Sequence, residues 1–249
     1  MLDAVNDICT ECERRNIGIL VDAESQHFQK TIDSITLDLM RRFNRNGTAV
    51  VYNTYQAYLK RTVGNVINHL SAASEEGFTL GLKLVRGAYL LSDDRRLIHD
   101  TKEDTDSGYN YIAQGALRRQ VGEVGSHATG SKPFPSVKLL LCSHNKQSLF
   151  AALRLHQHRV EEKLPTVDVT FAQLHGMSDA LSLSLLQQKG DGAAPPAVLK
   201  CSAWGTLGEC LAFLVRRAVE NKSAVVRTGD EHQALKEECW RRVKRVFSG

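Results

Sequence analysis

Residues 80–89, LGLKLVRGAY, join an uninterrupted apolar strand to a polar, glycine-containing exit, and this stretch decides the fold. Leu80–Val85 is apolar on successive rather than alternate residues, which is typical of a parallel strand buried on both faces. Arg86, Gly87 and Tyr89 follow directly, so polar and aromatic side chains stand at the carboxyl end of the strand. The stretch therefore predicts a β/α architecture with a pocket at the strand ends.

Five other apolar runs repeat this pattern, and each is followed by a segment with helical periodicity. The six runs are Ile17–Val21, Ala49–Tyr52, Leu80–Val85, Val137–Cys142, Val167–Leu174 and Ala197–Ala203. Strands that alternate this regularly with helices predict an α/β fold with a parallel sheet. The length of 249 residues also matches the usual size of an eight-stranded β/α barrel.

The composition indicates a folded globular protein and excludes several classes of function. Hydrophobic residues make up 42% of the chain and charged residues 24%, with a formal net charge of +4 that is spread along the sequence. We therefore expect neither disorder nor a nucleic-acid partner. No stretch is apolar and long enough to predict a membrane-spanning helix. The motifs of Rossmann sites, P-loops, α/β-hydrolases and zincins are absent from the sequence, and no metal site is expected.

Polar and aromatic residues follow every one of the six predicted strands. Active sites of β/α barrels lie at the carboxyl ends of the strands. The residues at these ends include Asp22, Glu24, Gln56, Lys83, Tyr89, Ser143, His144, Asn145, His175, Cys201 and Trp204. Such a series is not typical of a hydrophobic core, so the sequence predicts a pocket there.

Two adjacent arginines, Arg216 and Arg217, lie in the predicted helix Leu207–Asn221. A pair of guanidinium groups can bind a carboxylate through paired hydrogen bonds. Alternatively, Arg216 and Glu220 are four residues apart and would form an ordinary helical ion pair. The arginine motif by itself leaves both interpretations open.

Six motifs occur in a fixed order along the chain: VDAE, YQAYLKR, LVRGAYL, SHN, QLHGM and WGTLGECLAFLVRRAVEN. Together they resemble the proline dehydrogenase (proline oxidase) family over residues 10–228, with the greatest similarity to fungal members and their paralogues. The resemblance implies a TIM-type (β/α)8 barrel with about six of its eight βα units present. It also implies FAD-dependent oxidation of L-proline to 1-pyrroline-5-carboxylate by hydride transfer, with electrons passed to a quinone, on the matrix side of the mitochondrial inner membrane.

The resemblance also assigns roles to individual residues. Around the substrate it implies a carboxylate clamp, a lining for the five-membered ring and an orienting carboxylate, at Arg216, Arg217, Tyr89, Leu174, Asp22, Cys201 and Phe213. The positions implied to contact FAD are Gln56, Lys83, Val85, Gly87, Ala88, Thr101, Ser143, His144, Asn145 and Glu220.

Two of these positions have a second interpretation. Gly87 lacks a Cβ, which would let the backbone approach a flat cofactor, but it also suits a simple turn after the strand. Lys83 would stabilise negative charge on the reduced flavin, or it would pair with Asp22 or Glu24.

The chain departs from the family pattern at three points. Cys201 replaces a tyrosine of proline-specific members, and relatives that act on hydroxyproline have a short serine there, so hydroxyproline is an alternative substrate. Phe213 replaces a tyrosine and keeps only the ring. A lysine that the family has on an earlier strand has no counterpart, and we expect the chain to be truncated at the N-terminus and to lack two βα units.

Two other classes of function stay open, the first because of these departures and the second because lysines lie at predicted strand ends. One is a non-catalytic paralogue, and the other is a Schiff-base enzyme that uses Lys83 or Lys200. We predict that residues 1–228 form the partial barrel and 229–249 an amphipathic tail. One face of the tail carries Leu235, Cys239, Trp240, Val243 and Phe247, and it would pack against the barrel or contact the membrane peripherally.

Overall fold

The computed structural model describes residues 2–90, 92–188, 195–220 and 228–247. In chain order the elements are α1 (Leu2–Arg14), β1 (Ile19–Val21), α2 (Gln26–Phe43), β2 (Val51–Gln56), α3 (Thr62–Glu76), β3 (Leu80–Val85), a 3-10 turn (Arg95–Leu97), α4 (Lys102–Arg118), β4 (Val137–Cys142), α5 (Lys146–Glu161), β5 (Asp168–Leu174), α6 (Asp179–Leu186), β6 (Ala197–Cys201), α7 (Leu207–Glu220) and α8 (Thr228–Phe247).

The six strands of the described chain form one sheet in the order of the sequence, β1 to β6. The pairs β1–β2, β2–β3 and β3–β4 are parallel, and Gln56 lies opposite Val85 while Leu84 lies opposite Leu141. In a parallel sheet this register brings the carboxyl ends of neighbouring strands to one edge. The structure thus confirms the predicted α/β fold with six strand–helix repeats.

The chain divides into two compact units, with the boundary inside β5. We call the part that ends at Phe171 the N-unit and the part that begins at Ala172 the C-unit. The core of the N-unit includes fully buried residues on β3 and β4 and on the helices that pack against them, such as Leu82, Leu84, Leu139, Leu141, Leu70, Tyr109 and Ile112.

Asn44 organises the edge of the N-unit where β2 and β3 begin. Its side chain is fully buried, and its Nδ2 donates to the carbonyls of Val51 and Thr79 at 2.7 and 2.9 Å. Its Oδ1 accepts from the backbone N–H groups of Val50 and Val51 at 2.9 and 2.8 Å. One side chain therefore makes hydrogen bonds with four backbone groups at the start of the two strands.

The C-unit is more exposed than its sequence predicts. The apolar run Ala197–Ala203 predicts a strand buried on both faces, but the residues of β6 alternate between exposed and half-buried. Several apolar residues of α7 are more than half exposed, and the tail helix α8 contacts α6 but leaves Leu235 and Trp240 about two-thirds exposed. Among the described residues no helix has the length and apolar character needed to cross a membrane.

Candidate active site

The ends of β1 and β3 are joined by an ion pair between two predicted site residues. Lys83 Nζ lies 2.5 Å from Asp22 Oδ1, and the lysine side chain is 12% exposed whereas the aspartate is 77% exposed. A cation therefore sits in the sheet with its carboxylate partner at the solvent side. This is the pairing that the alternative interpretation of Lys83 predicted.

Gln56, at the end of β2, connects the exits of the strands on both sides. Its Oε1 accepts from the backbone N–H of Ala88 at 3.0 Å, and its Nε2 makes a longer contact of 3.4 Å with the carbonyl of Glu24. The buried side chain thus fixes the turn after β3, while its amide N–H groups are only weakly used. The neighbouring carbonyl of Val85 accepts from Ala57 N at 2.9 Å.

Tyr89 is tied to the turn after β1. Its hydroxyl donates to Glu24 Oε2 at 2.6 Å, and the ring is half-buried. The VDAE and LVRGAY motifs, 65 residues apart in sequence, therefore meet at one edge of the sheet.

Gly87 is required by its neighbour Tyr58, which neither interpretation from the sequence included. Its φ is +147°, and a Cβ at this position would lie 2.2 Å from Cδ1 of Tyr58. The backbone therefore needs glycine in order to pass over the Tyr58 ring. Close approach to a cofactor is not needed to explain this glycine, although its backbone and that of Ala88 remain exposed.

The SHN motif forms the exit of β4 and the start of α5. Ser143 Oγ accepts from Arg86 Nε at 3.2 Å and from the backbone N–H of Asn145 at 3.0 Å. Asn145 is the N-cap of α5, because its Oδ1 accepts from Ser148 N at 3.0 Å. His144 lies between them and is half-buried. Both polar neighbours of His144 thus have structural roles of their own.

Arg86, which the residue-by-residue assignment missed, links β3 to α4 and α5. Its Nη1 forms an ion pair with Asp106, its Nη2 donates to Ser148 Oγ at 3.1 Å, and its Cζ lies 5.1 Å from the centre of the Tyr109 ring. Burial acts to raise the pKa of Asp106, but hydrogen bonds from Lys102 and Arg86 outweigh burial and lower it. The carboxylate is therefore kept in its charged form.

Thr101 caps helix α4. Its Oγ1 accepts from the backbone N–H of Asp104 at 3.0 Å, and the Asp104 carboxylate accepts from Thr101 N at 3.2 Å. The two residues form a capping box, which accounts for a threonine here by local structure alone.

The C-unit contains the remaining predicted site residues. Leu174 ends β5 and is half-buried, and Cys201 ends β6 and is exposed. The Cys201 carbonyl accepts from His175 N at 2.8 Å, which joins the ends of these two strands. Lys200, the alternative Schiff-base lysine, forms an ion pair with Asp179 at 2.6 Å.

The two arginines of α7 differ in environment. Arg217 is half-buried, and its Cζ lies 5.4 Å from the centre of the Phe213 ring. Arg216 is exposed. The side chain of Glu220 lies outside the described residues, so the alternative Arg216–Glu220 ion pair stays a prediction.

Three residues with central contacts, Glu24, Arg86 and Asp93, had no predicted contact with substrate or FAD. Glu24 and Arg86 stand inside the quoted motifs, so their position in the sequence was a usable signal. Asp93 has no such signal, because its partners are Tyr58 and Gln26, 35 and 67 residues away.

The chemical groups at the strand edge of the N-unit are of the types that bind a flavin cofactor. The Gln56 amide has a weakly used donor, Lys83 supplies a positive charge, and the backbone at Gly87 and Ala88 is exposed. Amide donors, a cation and accessible backbone are what an isoalloxazine ring and a pyrophosphate require.

The chain is similar to known proteins over most of its length. The family model described as proline dehydrogenase matches residues 3–229. The probable mitochondrial proline dehydrogenase of Schizosaccharomyces pombe is 33% identical over 95% of this chain and 49% of its own length. Human hydroxyproline dehydrogenase is 32% identical over 97% of this chain and 51% of its own length. The chain thus spans about half the length of these relatives.

A solved structure of proline utilization A from Bdellovibrio bacteriovorus matches with a TM-score of 0.69 and 18% identity, over 88% of this chain and 21% of that protein. This likeness supports the fold. The family match covers nearly the whole sequence, and the chain therefore belongs to the proline dehydrogenase family.

Proposed function

We propose that this chain supplies most of the catalytic domain of a flavin-dependent dehydrogenase that oxidises L-proline to 1-pyrroline-5-carboxylate. The observation that carries the proposal is the joined strand edge of the N-unit in a chain of this family. There the Asp22–Lys83 ion pair, the Gln56–Ala88 hydrogen bond and the Glu24–Tyr89 hydrogen bond bring three strand exits together.

The substrate's chemistry suits the residues assigned to it. Proline carries a carboxylate, which Arg216 and Arg217 would bind through their guanidinium groups. Its apolar ring would contact Tyr89, Leu174 and Phe213, and Asp22 would orient the amine. Oxidation removes a hydride from carbon and a proton from nitrogen and leaves a C=N bond. Fixed orientation of the ring is therefore the main task of these residues.

FAD, when bound, supplies the two-electron acceptor that this oxidation requires. We propose that it is held by Gln56, Lys83, Val85, Gly87, Ala88, Thr101, Ser143, His144, Asn145 and Glu220. Within this set Lys83 would place its charge to stabilise the reduced form. Thr101, Ser143 and Asn145 would act partly through the helix caps and hydrogen bonds that already occupy them.

Hydroxyproline is a second candidate substrate, and Cys201 favours it. The thiol is short and exposed at the end of β6, so it leaves space that a larger side chain would fill. The similarity to human hydroxyproline dehydrogenase is consistent with this alternative.

The Schiff-base alternative has less support. A lysine that forms a Schiff base needs its amine uncharged and unpaired. Lys83 and Lys200 both form ion pairs with carboxylates, at 2.5 and 2.6 Å. We therefore do not favour either lysine as a nucleophile.

We further propose a mitochondrial location, a quinone as the electron acceptor and residues 229–249 as an amphipathic tail. The S. pombe relative is named mitochondrial. In α8 the exposed Leu235, Trp240 and Val243 accompany a basic last turn that contains Lys244 and Arg245, a combination suited to peripheral contact with the inner membrane.

Flavin binding and substrate oxidation test the proposal together. We expect the purified chain to bind FAD, to show visible flavin absorbance and to lose this absorbance when proline or 4-hydroxyproline is added without an acceptor. Relative rates with a dye acceptor distinguish the two substrates. Protein that neither binds FAD nor bleaches with either substrate would favour a non-catalytic paralogue.

Replacement of Arg216 tests the carboxylate clamp. In Arg216→Ala we expect KM for the amino acid to rise roughly 10- to 100-fold, since hydrogen bonds to a charged group are lost. Arg241→Ala is the matched control, because Arg241 is an exposed arginine of the same unit that pairs with Glu238. An unchanged KM in Arg216→Ala would contradict the clamp.

A further inference from the structure

The turn after β3 carries Tyr89 and is held at a second point, four residues further on. Asp93 Oδ2 accepts from the hydroxyl of Tyr58 at 2.7 Å, and Asp93 Oδ1 accepts from the backbone N–H of Gln26 at 3.1 Å. Tyr58 belongs to the segment after β2, and Gln26 is the first residue of α2. One carboxylate thus joins the segments that follow β1, β2 and β3.

The contact with α2 provides a hydrogen-bond acceptor at the N-terminus of that helix. Ser25 stands at the N-cap of α2 but makes no side-chain capping hydrogen bond. The first N–H groups of a helix lack partners within the helix, and a negative charge near them is favourable. Asp93 supplies an acceptor and a charge from a distant part of the sequence. This explains why the carboxylate is held on α2 rather than left in solvent.

The contact with Tyr58 is equally well defined. The tyrosine is 5% exposed, and its ring lies against Gly87, where a Cβ would meet it at 2.2 Å. Burial and the neighbouring Asp93 carboxylate raise the pKa of Tyr58, so its hydroxyl stays protonated and remains a donor. Tyr58 therefore contacts the turn at two points: its ring packs against Gly87, and its hydroxyl donates to Asp93.

Asp93 is connected to Tyr89 through the backbone. The N–H of Asp93 donates to the carbonyl of Tyr89 at 2.8 Å, and the N–H of Ser92 makes a second, longer bond of 3.1 Å to the same carbonyl. The Tyr89 hydroxyl in turn donates to Glu24. Tyr89 is thus held at its carbonyl by residues fixed to Tyr58 and α2, and at its hydroxyl by the turn after β1.

We propose that Asp93 and Tyr58 are positioning residues that set the place of Tyr89 at the strand edge, and we call their joint contact with Gln26 the Asp93 bridge. Neither residue is assigned to contact the substrate or the cofactor. The consequence for catalysis rests on the proposed function, in which Tyr89 lines the pocket for the substrate ring. The structural role of the bridge does not depend on that function.

Three variants separate the parts of the bridge. Asp93→Ala removes both hydrogen bonds, and Tyr58→Phe removes only the hydroxyl while the ring under Gly87 is kept. Asp93→Asn retains a group that can accept from Gln26 N–H and donate to the Tyr58 oxygen. Tyr52→Phe is the matched control, because Tyr52 lies on β2 and its hydroxyl makes no hydrogen bond among the described residues.

Hydrogen exchange tests the bridge without reference to activity. In Asp93→Ala and Tyr58→Phe we expect the amides of residues 86–90 to exchange about tenfold faster, with protection in β3 and α4 unchanged. Asp93→Asn should restore most of the protection, and Tyr52→Phe should match the wild type. Unchanged exchange at residues 86–90 in both of the first two variants would overturn the bridge.

Kinetics test the positioning role. For the substrate that the wild type oxidises, KM should rise about 3- to 10-fold in Tyr58→Phe and more in Asp93→Ala, with kcat changed less and Asp93→Asn close to wild type. Faster exchange with an unchanged KM would overturn the positioning role. If the wild type oxidises neither substrate, the proposed function fails while the exchange measurements still decide the bridge.

Discussion

The N-unit and the C-unit use the same alternation of strand and helix but differ in how their polar and apolar groups are satisfied. In the N-unit the strand exits are joined by side-chain hydrogen bonds, and the apolar residues of β3 and β4 are almost all buried. In the C-unit, Trp204 is 96% exposed and Leu207 is 76% exposed. The stability of this chain should therefore come mainly from the N-unit.

A matched pair of leucines gives the largest test of this difference. Leu82 is fully buried in β3, and Leu214 of α7 is 54% exposed. We expect Leu82→Ala to lower the free energy of unfolding by about 2–5 kcal/mol, because a cavity is left in a packed core. Leu214→Ala should change it by less than about 0.5 kcal/mol.

Urea titration measures the free energy of unfolding of both variants. Fluorescence and circular dichroism together distinguish the unfolding of the two units. Both tryptophans, Trp204 and Trp240, belong to the C-unit, so their fluorescence reports on that unit, whereas far-ultraviolet circular dichroism follows the helices of both. A loss in Leu214→Ala as large as that in Leu82→Ala would contradict the comparison.

Two glycines test how closely the elements of the N-unit approach. A Cβ on Gly81 of β3 would lie 2.2 Å from the carbonyl oxygen of Val51, whereas a Cβ on Gly64 of α3 would meet no atom within 4 Å. Gly81→Ala should lower the free energy of unfolding by about 1–3 kcal/mol, because the strands must move apart. Gly64→Ala should raise it by about 0.5–1 kcal/mol, since alanine favours the helix.

Thermal denaturation of the two glycine variants provides the measurement. A stable Gly81→Ala would mean that β2 and β3 can separate at little cost, and the packing argument for the N-unit would then fail.

Strand positions were predictable where hydrophobicity alone decides them. Leu80–Val85 and Val137–Cys142 have the predicted ends, because apolar residues fill both faces of β3 and β4. The run that ends at Tyr52 was predicted too short, since β2 continues to Gln56. Its buried polar residues make side-chain hydrogen bonds: Asn53 Nδ2 donates to Asp33 and Thr54 Oγ1 to the carbonyl of Val21, although Asn53 Oδ1 has no hydrogen-bond partner among the described residues.

The motifs of the candidate site could be predicted from the sequence, but the hydrogen bonds that connect them could not. Thr101 and Asn145 act as helix caps, and a polar residue before a helical run is a local signal that sequence can reveal. The Arg86–Ser143 and Asp93–Gln26 contacts join residues 57 and 67 positions apart. Such contacts depend on strand register, which one sequence with no structure does not specify.

The cap of α4 offers a smaller effect and tests a residue that is also a predicted cofactor contact. Thr101→Ala should lower the free energy of unfolding by about 1 kcal/mol, because the Oγ1 that accepts from Asp104 N–H is lost, while the backbone N–H at position 101 can still donate to the Asp104 carboxylate. Thr101→Ser keeps the hydroxyl and should stay near wild type.

Urea titration followed by FAD titration distinguishes the two roles of Thr101. Weaker FAD binding in Thr101→Ala at conditions where the protein is fully folded would indicate a role beyond the cap. Equal unfolding free energies for the alanine and serine variants would instead contradict the cap itself.

The smallest expected effect concerns the pH dependence of the N-unit. The Tyr55 hydroxyl lies 2.7 Å from His69 Nδ1, between β2 and α3. Burial lowers the pKa of His69; the charge of Asp33 acts to raise it, and that of Arg41 acts to lower it. Because the folded pKa lies below the unfolded value of about 6.5, the contribution to stability is present above that pH and is lost as pH falls through the folded pKa.

We therefore expect wild type to lose up to about 1 kcal/mol more stability than His69→Gln between pH 7.5 and pH 5. The variant removes the titrating ring and keeps an amide that can accept from Tyr55. Comparing the two proteins at each pH cancels the carboxylates that titrate in both. An identical pH dependence would show that His69 ionises in the folded N-unit as readily as in the unfolded chain, and that burial of the Tyr55–His69 pair does not disfavour the charged ring.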